Sequence, residues 1–131
     1  MKRVRPGGLA ALCALLVNGL MFAAPASAHH SAAMFDHAKV VPLAGTVKEF
    51  KWMNPHGWIQ VIAPGPAGKT TEWSIECSSI NILARKGWTS TTFKPGDKIN
   101  LTMHPMKDGS AAGFVLKVDL QDGHSLSDHD Y

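Results

Sequence analysis

The sequence predicts an all-β domain with one short helix: a five-stranded, partly open, OB-like barrel whose elements run β-β-β-α-β-β. Three observations predict it. Short segments rich in β-branched and aromatic residues alternate apolar and polar side chains. Strong turn formers, Pro64-Gly65-Pro66-Ala67-Gly68 and Lys94-Pro95-Gly96-Asp97, separate them. Only one stretch, near Ser79–Gly87, carries helix signals, and it falls between the third and fourth strands.

The first 28 residues read as a leader. Lys2, Arg3 and Arg5 form a basic start, an apolar run extends from Leu9 to Ala24, and Pro25-Ala26-Ser27-Ala28 supplies an A-x-A cleavage pattern. Asn18 and Gly19 interrupt the apolar run, which argues against a retained span. The expected organisation is a signal peptide at 1–28, an N-terminal arm at 29–39, the barrel at 40–126 and a polar, frayed tail at 127–131. A periplasmic or secreted location follows. Lys2, Arg3 and Arg5 account for the net charge of +3, so the remainder is balanced. A balanced domain lacks the clustered basic face that nucleic acid selects. The expected partners are therefore a small ligand or a periplasmic protein, with no nucleic acid and no stable membrane insertion after cleavage. Cys77 is the single cysteine outside the leader, so no internal disulfide can staple the domain, and a core must hold it together.

Taken in order, Val40–Phe50 reads as the first strand and Trp52–Gly57 as the loop after it. Trp58–Ala63 is the second strand and 64–68 a hairpin loop. Lys69–Cys77 is the third strand, with Thr71, Trp73, Ile75 and Cys77 on one face and Glu72 and Glu76 on a solvated one. Ser79 is placed to cap a helix of two to three turns that ends at Gly87, with Ile80, Leu83 and Ala84 as its inner face. Lys98–His104 is the fourth strand, with Ile99, Leu101 and Met103 inward. Phe114–Leu120 is the fifth, with Phe114, Leu116, Val118 and Leu120 inward, and a short last strand follows through Ser125-Leu126.

With the strands placed, the chain resembles the exported bacterial family called domain of unknown function 6152. The resemblance runs from about His29 to Leu126. It is carried by the ordered set His29-His30-Ser31, Phe35-Asp36, Gly45-Thr46-Val47, Trp52, Asn54-Pro55-His56, Trp58-Ile59, Trp73, Gly87-Trp88, Pro95-Gly96-Asp97 and Asp108-Gly109. Ile80 stands where the family often has a proline. The resemblance implies an exported, barrel-like β protein and supplies no activity.

Two site readings stand side by side. Cleavage after Ala28 would give His29 a free amine beside its imidazole, and with a further imidazole these make a nitrogen-rich set suited to Cu(II). His56, in the loop between strands one and two, and His104, at the end of strand four, are the candidate partners, because those two loops converge in this barrel type. His30 or His37 could substitute. Cleavage after Ala26 would instead put His29 third, where backbone amides complete the copper site. The alternative is a non-metal ligand or protein interaction module on a rim of Trp52, Asn54, Trp58 and Met106. No nucleophile elbow, phosphate loop or zinc-spaced pair is present, and Cys77 is in phase with buried residues, so no enzyme is expected.

Overall fold

Strand β1 (Val41–Lys51) is the longest, and its length lets one strand serve two neighbours. Val41–Thr46 pairs antiparallel with β4 (Lys98–Pro105), and Thr46–Lys51 with β2 (Trp58–Pro64). The change of partner occurs where β1 is thin and irregular. A Cβ on Gly45 would stand 2.5 Å from Val61 Cγ1 and 2.7 Å from the Ile62 carbonyl, so only glycine lets the strands approach there. A bulge between Val47 and Glu49 then bends the strand.

The computed structural model describes residues 30–128, of which Ser31 onward belongs to one compact unit. Antiparallel pairing joins β2 to β3 (Thr70–Glu76) and β4 to β5 (Ala112–Asp119). Parallel pairing of Ser74–Glu76 with Ala112–Phe114 closes the ring β1-β2-β3-β5-β4. This is the expected five-stranded OB-like barrel. A short β6 (Ser125–Ser127) extends the free edge of β5, and a one-turn helix α1 (His30–Ala33) precedes the barrel.

Val47, Ile59, Val61, Ile75, Leu101 and Met103 are among the residues that fill the barrel. The inward set expected for β4 is buried in full. The set expected for β5 is corrected. A register shift opposite Thr102/Met103 places an extra residue in β5, so Met103 faces Val115 while Leu101 faces Val118. Val115 and Val118 therefore enter the core, whereas Leu116 is buried outside it and Phe114 is only half-buried. One added residue reverses the side that every earlier side chain takes.

Helix α2 (Ile80–Arg85) is shorter than the expected two to three turns. The Ser79 side chain makes no cap. Its backbone carbonyl instead accepts from the N–H groups of Ile82 and Leu83 at 2.9 and 3.0 Å. Gly87, at φ 88°, ends the helix in the left-handed region, as expected. Leu83 alone of the expected inner face is fully buried; Ile80 is half-buried and Ala84 exposed. Trp88 follows as a seal. It is 1% exposed, packs against Phe50 and Phe93, and donates its Nε1–H to the Ser127 carbonyl at 3.1 Å.

Both margins of the barrel are tied down. The Phe35 side chain is buried, the Asp36 N–H bonds the Pro105 carbonyl at 2.8 Å, and the Lys107 N–H bonds the Met34 carbonyl at 3.0 Å. At the other margin Asp128 is buried, its N–H bonded to the Leu116 carbonyl at 2.8 Å. The fraying expected from Ser127 onward does not begin there, because Ser127 pairs with Lys117 and Asp128 closes a seam.

Candidate functional site

A row of cross-strand partners, Lys51–Trp58–Glu76–Phe114–His104, joins the β1–β2 loop to the β4–β5 loop. Direct partners project from the same face of a sheet. Their neighbours Ile59, Ile75, Val115 and Met103 fill the barrel, so the row lies on the outer face. Glu76 is nonetheless only 4% exposed. Where β3 leaves β5, the seam is bridged from the chain end: Asp128 Oδ2 accepts the Ser78 N–H at 2.7 Å. The arm covers the same region, with Phe35 and Phe114 ring centroids 5.8 Å apart.

Between these parts lies a cavity of about 510 Å³. Its apolar walls include Phe35, Phe114 and Ile82. Its polar lining includes Glu76, His56, His37, Ser78, Lys86 and Asp128. The His56 Nδ1 lies 3.0 Å from Glu76 Oε1 and 3.0 Å from the Cys77 carbonyl. A carbonyl only accepts, so Nδ1 carries the hydrogen and donates it to Cys77, with Glu76 Oε1 alongside at ion-pair distance. Burial pushes the Glu76 carboxyl above its ordinary value, and the neighbouring His56 draws it part of the way back. Burial, followed by Asp128 and Glu76, holds the Cys77 thiol well above its usual range, which suits an inert core cysteine.

The model of a family of unknown function, DUF6152, matches residues 18–116. The chain belongs to that family. No curated protein matches the chain. Among solved structures, the chain is similar to the mitochondrial single-stranded DNA binding protein Rim1 of S. cerevisiae. The two share 15% identity at a TM-score of 0.45, over 63% of this chain and 94% of that one. This neighbour corrects the expectation about partners: a protein described as binding single-stranded DNA overturns the exclusion of nucleic acid from charge balance alone. At that identity the likeness assigns no nucleic acid to the DUF6152 chain.

The residues singled out in the DUF6152 sequence separate into groups. His29 lies outside the described residues. His56 joins Glu76. His104 joins His37, their ring centroids 4.8 Å apart, and Phe114 stands between Glu76 and His104 in the row. The His104 Nδ1–H donates to the Lys39 carbonyl at 2.7 Å, and the His37 Nε2–H to that of Ala32 at 2.8 Å. Among the described residues no three His, Cys, Asp or Glu side chains gather as a metal-holding group. Of the rim residues, Trp52 packs against the core and edge-on to Phe50, at 5.9 Å. Trp58 is half-buried beside Glu76, Asn54 is exposed before a cis peptide to Pro55, and Met106 bridges to Phe35.

Glu76 is the residue that sequence reasoning missed. Read with Glu72 as a solvated face, it differs from Glu72, which is exposed and bonded to Lys48 at 2.7 Å. Period-two alternation places both carboxylates outside the barrel correctly, and no local signal shows that an arm and a chain end cover one of them. Phe35 and Asp128 were missed for the same reason.

Proposed function

We propose that this DUF6152 protein is an exported, periplasmic binding protein that holds a small, largely apolar ligand in the cavity between the arm and the β3–β5 seam. One observation carries the reading: a buried carboxylate, Glu76, opens onto a cavity of about 510 Å³ walled by Phe35, Phe114 and Ile82. Small-molecule sites are mostly apolar hollows of about 300–1,000 Å³ with a few placed polar groups. The ligand reading set on Trp52 and Trp58 thus moves along the row to Glu76. N-phenylnaphthylamine, an uncharged aromatic probe, is expected to bind saturably at about one per chain with a rise in fluorescence. Ile82→Trp, which fills the cavity from α2, is expected to abolish it. A probe signal that never saturates, or that Ile82→Trp leaves intact, refutes the reading.

A second reading is favoured by a different observation. His37, His56 and His104 each spend one ring nitrogen on a backbone carbonyl, which fixes the lone pair on the other. Histidine ligands of metals are commonly oriented in this way. Cu(II) bound through the amine and imidazole of a processed His29, with His104 or His56, accords with it. Equilibrium dialysis is expected to give about one Cu(II) per chain, lost in His29→Ala and in His104→Ala. Copper uptake unchanged in both variants eliminates this reading.

A further inference from the structure

We infer that the ligand of the arm-covered cavity is an organic ammonium ion, an aromatic or aliphatic body bearing a protonated amine, with Glu76 as its counter-ion. The inference rests on the cavity being a binding site and adds the class of molecule it takes.

The first argument is a buried carboxylate that receives no hydrogen bond from a described side chain. Glu76 Oε1 lies 3.0 Å from the His56 Nδ1, whose N–H goes to the Cys77 carbonyl, and no side chain among the described residues donates a hydrogen bond to either carboxylate oxygen. The side chain is 6% exposed and lines the cavity. Holding a carboxylate largely out of water without a hydrogen-bond donor is costly. The barrel core does not need it, because the position projects outward from β3, away from the core. The other carboxylate of the cavity, that of Asp128, has a structural task, since it holds the Ser78 N–H across the seam. Glu76 is thus the acid whose charge the fold does not use.

The second argument is the chemistry of the walls. Phe35 and Phe114 present two rings beside that carboxylate, and aromatic faces attract ammonium groups while their area accepts an apolar body. His56 stands at ion-pair distance from Glu76 but sends its N–H to the Cys77 carbonyl, so the carboxylate calls for a donor. A protonated amine is the donor that also balances its charge. An anionic ligand would meet both Glu76 and Asp128, against one lysine, Lys86, in the lining.

Calorimetric titration of the full chain at neutral pH with three ligands of similar shape tests this: phenethylamine as cation, phenethyl alcohol as neutral analogue and hydrocinnamate as anion. The cation is expected to bind about tenfold to a hundredfold more tightly than the alcohol, as suits a hydrogen bond between charged groups. Glu76→Gln is expected to bring the cation down to the level of the alcohol without weakening the alcohol. The wild-type ranking decides by itself if circular dichroism shows the variant unfolded. Equal binding of cation and alcohol, or tightest binding of hydrocinnamate, overturns the ammonium class. So does failure of all three while N-phenylnaphthylamine still binds. If that probe fails as well, the cavity reading falls and the class falls with it.

Discussion

Glu76 shows how one residue can oppose the fold that carries it. Its folded carboxyl titrates above its ordinary value because burial disfavours the charge. A raised folded value means that the folded state holds its proton more tightly than the unfolded one. The stability this group contributes is therefore fully present below its ordinary value of 4.5 and is lost as pH rises through the folded value. Glu76→Gln removes the loss. In urea unfolding across a pH series the variant is expected to be more stable than wild type at neutral pH, with the gap closing below pH 4.5. A gap that stays constant with pH contradicts the assignment. Leu83 is the opposite case, an apolar side chain that serves the core alone. Fully buried, it has a Cδ1 that would stand 3.2 Å from a Cβ built on Gly57, so α2 closes against the β1–β2 loop. Leu83→Ala should cost about 2–5 kcal/mol in the same unfolding experiment.

At the scale of elements, legibility followed environment. Strand β4 was readable because one face meets the core and the other does not, so Ile99, Leu101 and Met103 alternate without interruption. Strand β5 was misread at Phe114 and Leu116 because a bulge changes phase with no mark in the composition. The arm was hardest, since Phe35 sits in a segment without period and gains its meaning only by packing on Phe114, far along the chain. The burial of Glu76 inherits that difficulty. Its cover comes from the arm before the barrel and from Asp128 after it, contacts that strand periodicity does not encode. Because the arm adds to the barrel without closing its ring, it should open alone. In Phe35→Ala, hydrogen exchange is expected to quicken at the amides of Asp36 and Lys107, which bond Pro105 and Met34, while Ile59 and Leu101 stay protected. Equal acceleration everywhere would mean that the arm is part of one cooperative unit. Gly45→Ala tests the barrel instead. A Cβ directed at Val61 and the Ile62 carbonyl has no room, and a loss of about 1–3 kcal/mol is expected from overpacking.

For the whole molecule, the proposed export and the proposed metal chemistry meet at the start of the chain. Lys2, Arg3 and Arg5 carry the entire net charge of +3, and the remaining residues are balanced. No helix among the described residues is long and apolar enough to cross a membrane. The barrel order and its helix were legible from strand count and turn positions, whereas the chemistry of the chain start depends on an event outside the fold. In the proposed processing, cleavage after Ala28 would convert His29 from an internal residue into one with two ligand nitrogens, and the amine would have to lose a proton to bind a metal. Cleavage after Ala26 leaves Ser27-Ala28-His29, in which a third-place histidine takes Cu(II) through backbone amides and needs nothing from the barrel. The two products differ in mass by one serine and one alanine, so intact mass spectrometry of exported protein separates them. The expected product begins at His29 and loses copper on His104→Ala. A product that begins at Ser27 and keeps copper in His104→Ala places the metal on the peptide alone, and leaves His56, Glu76 and the cavity to the organic ligand.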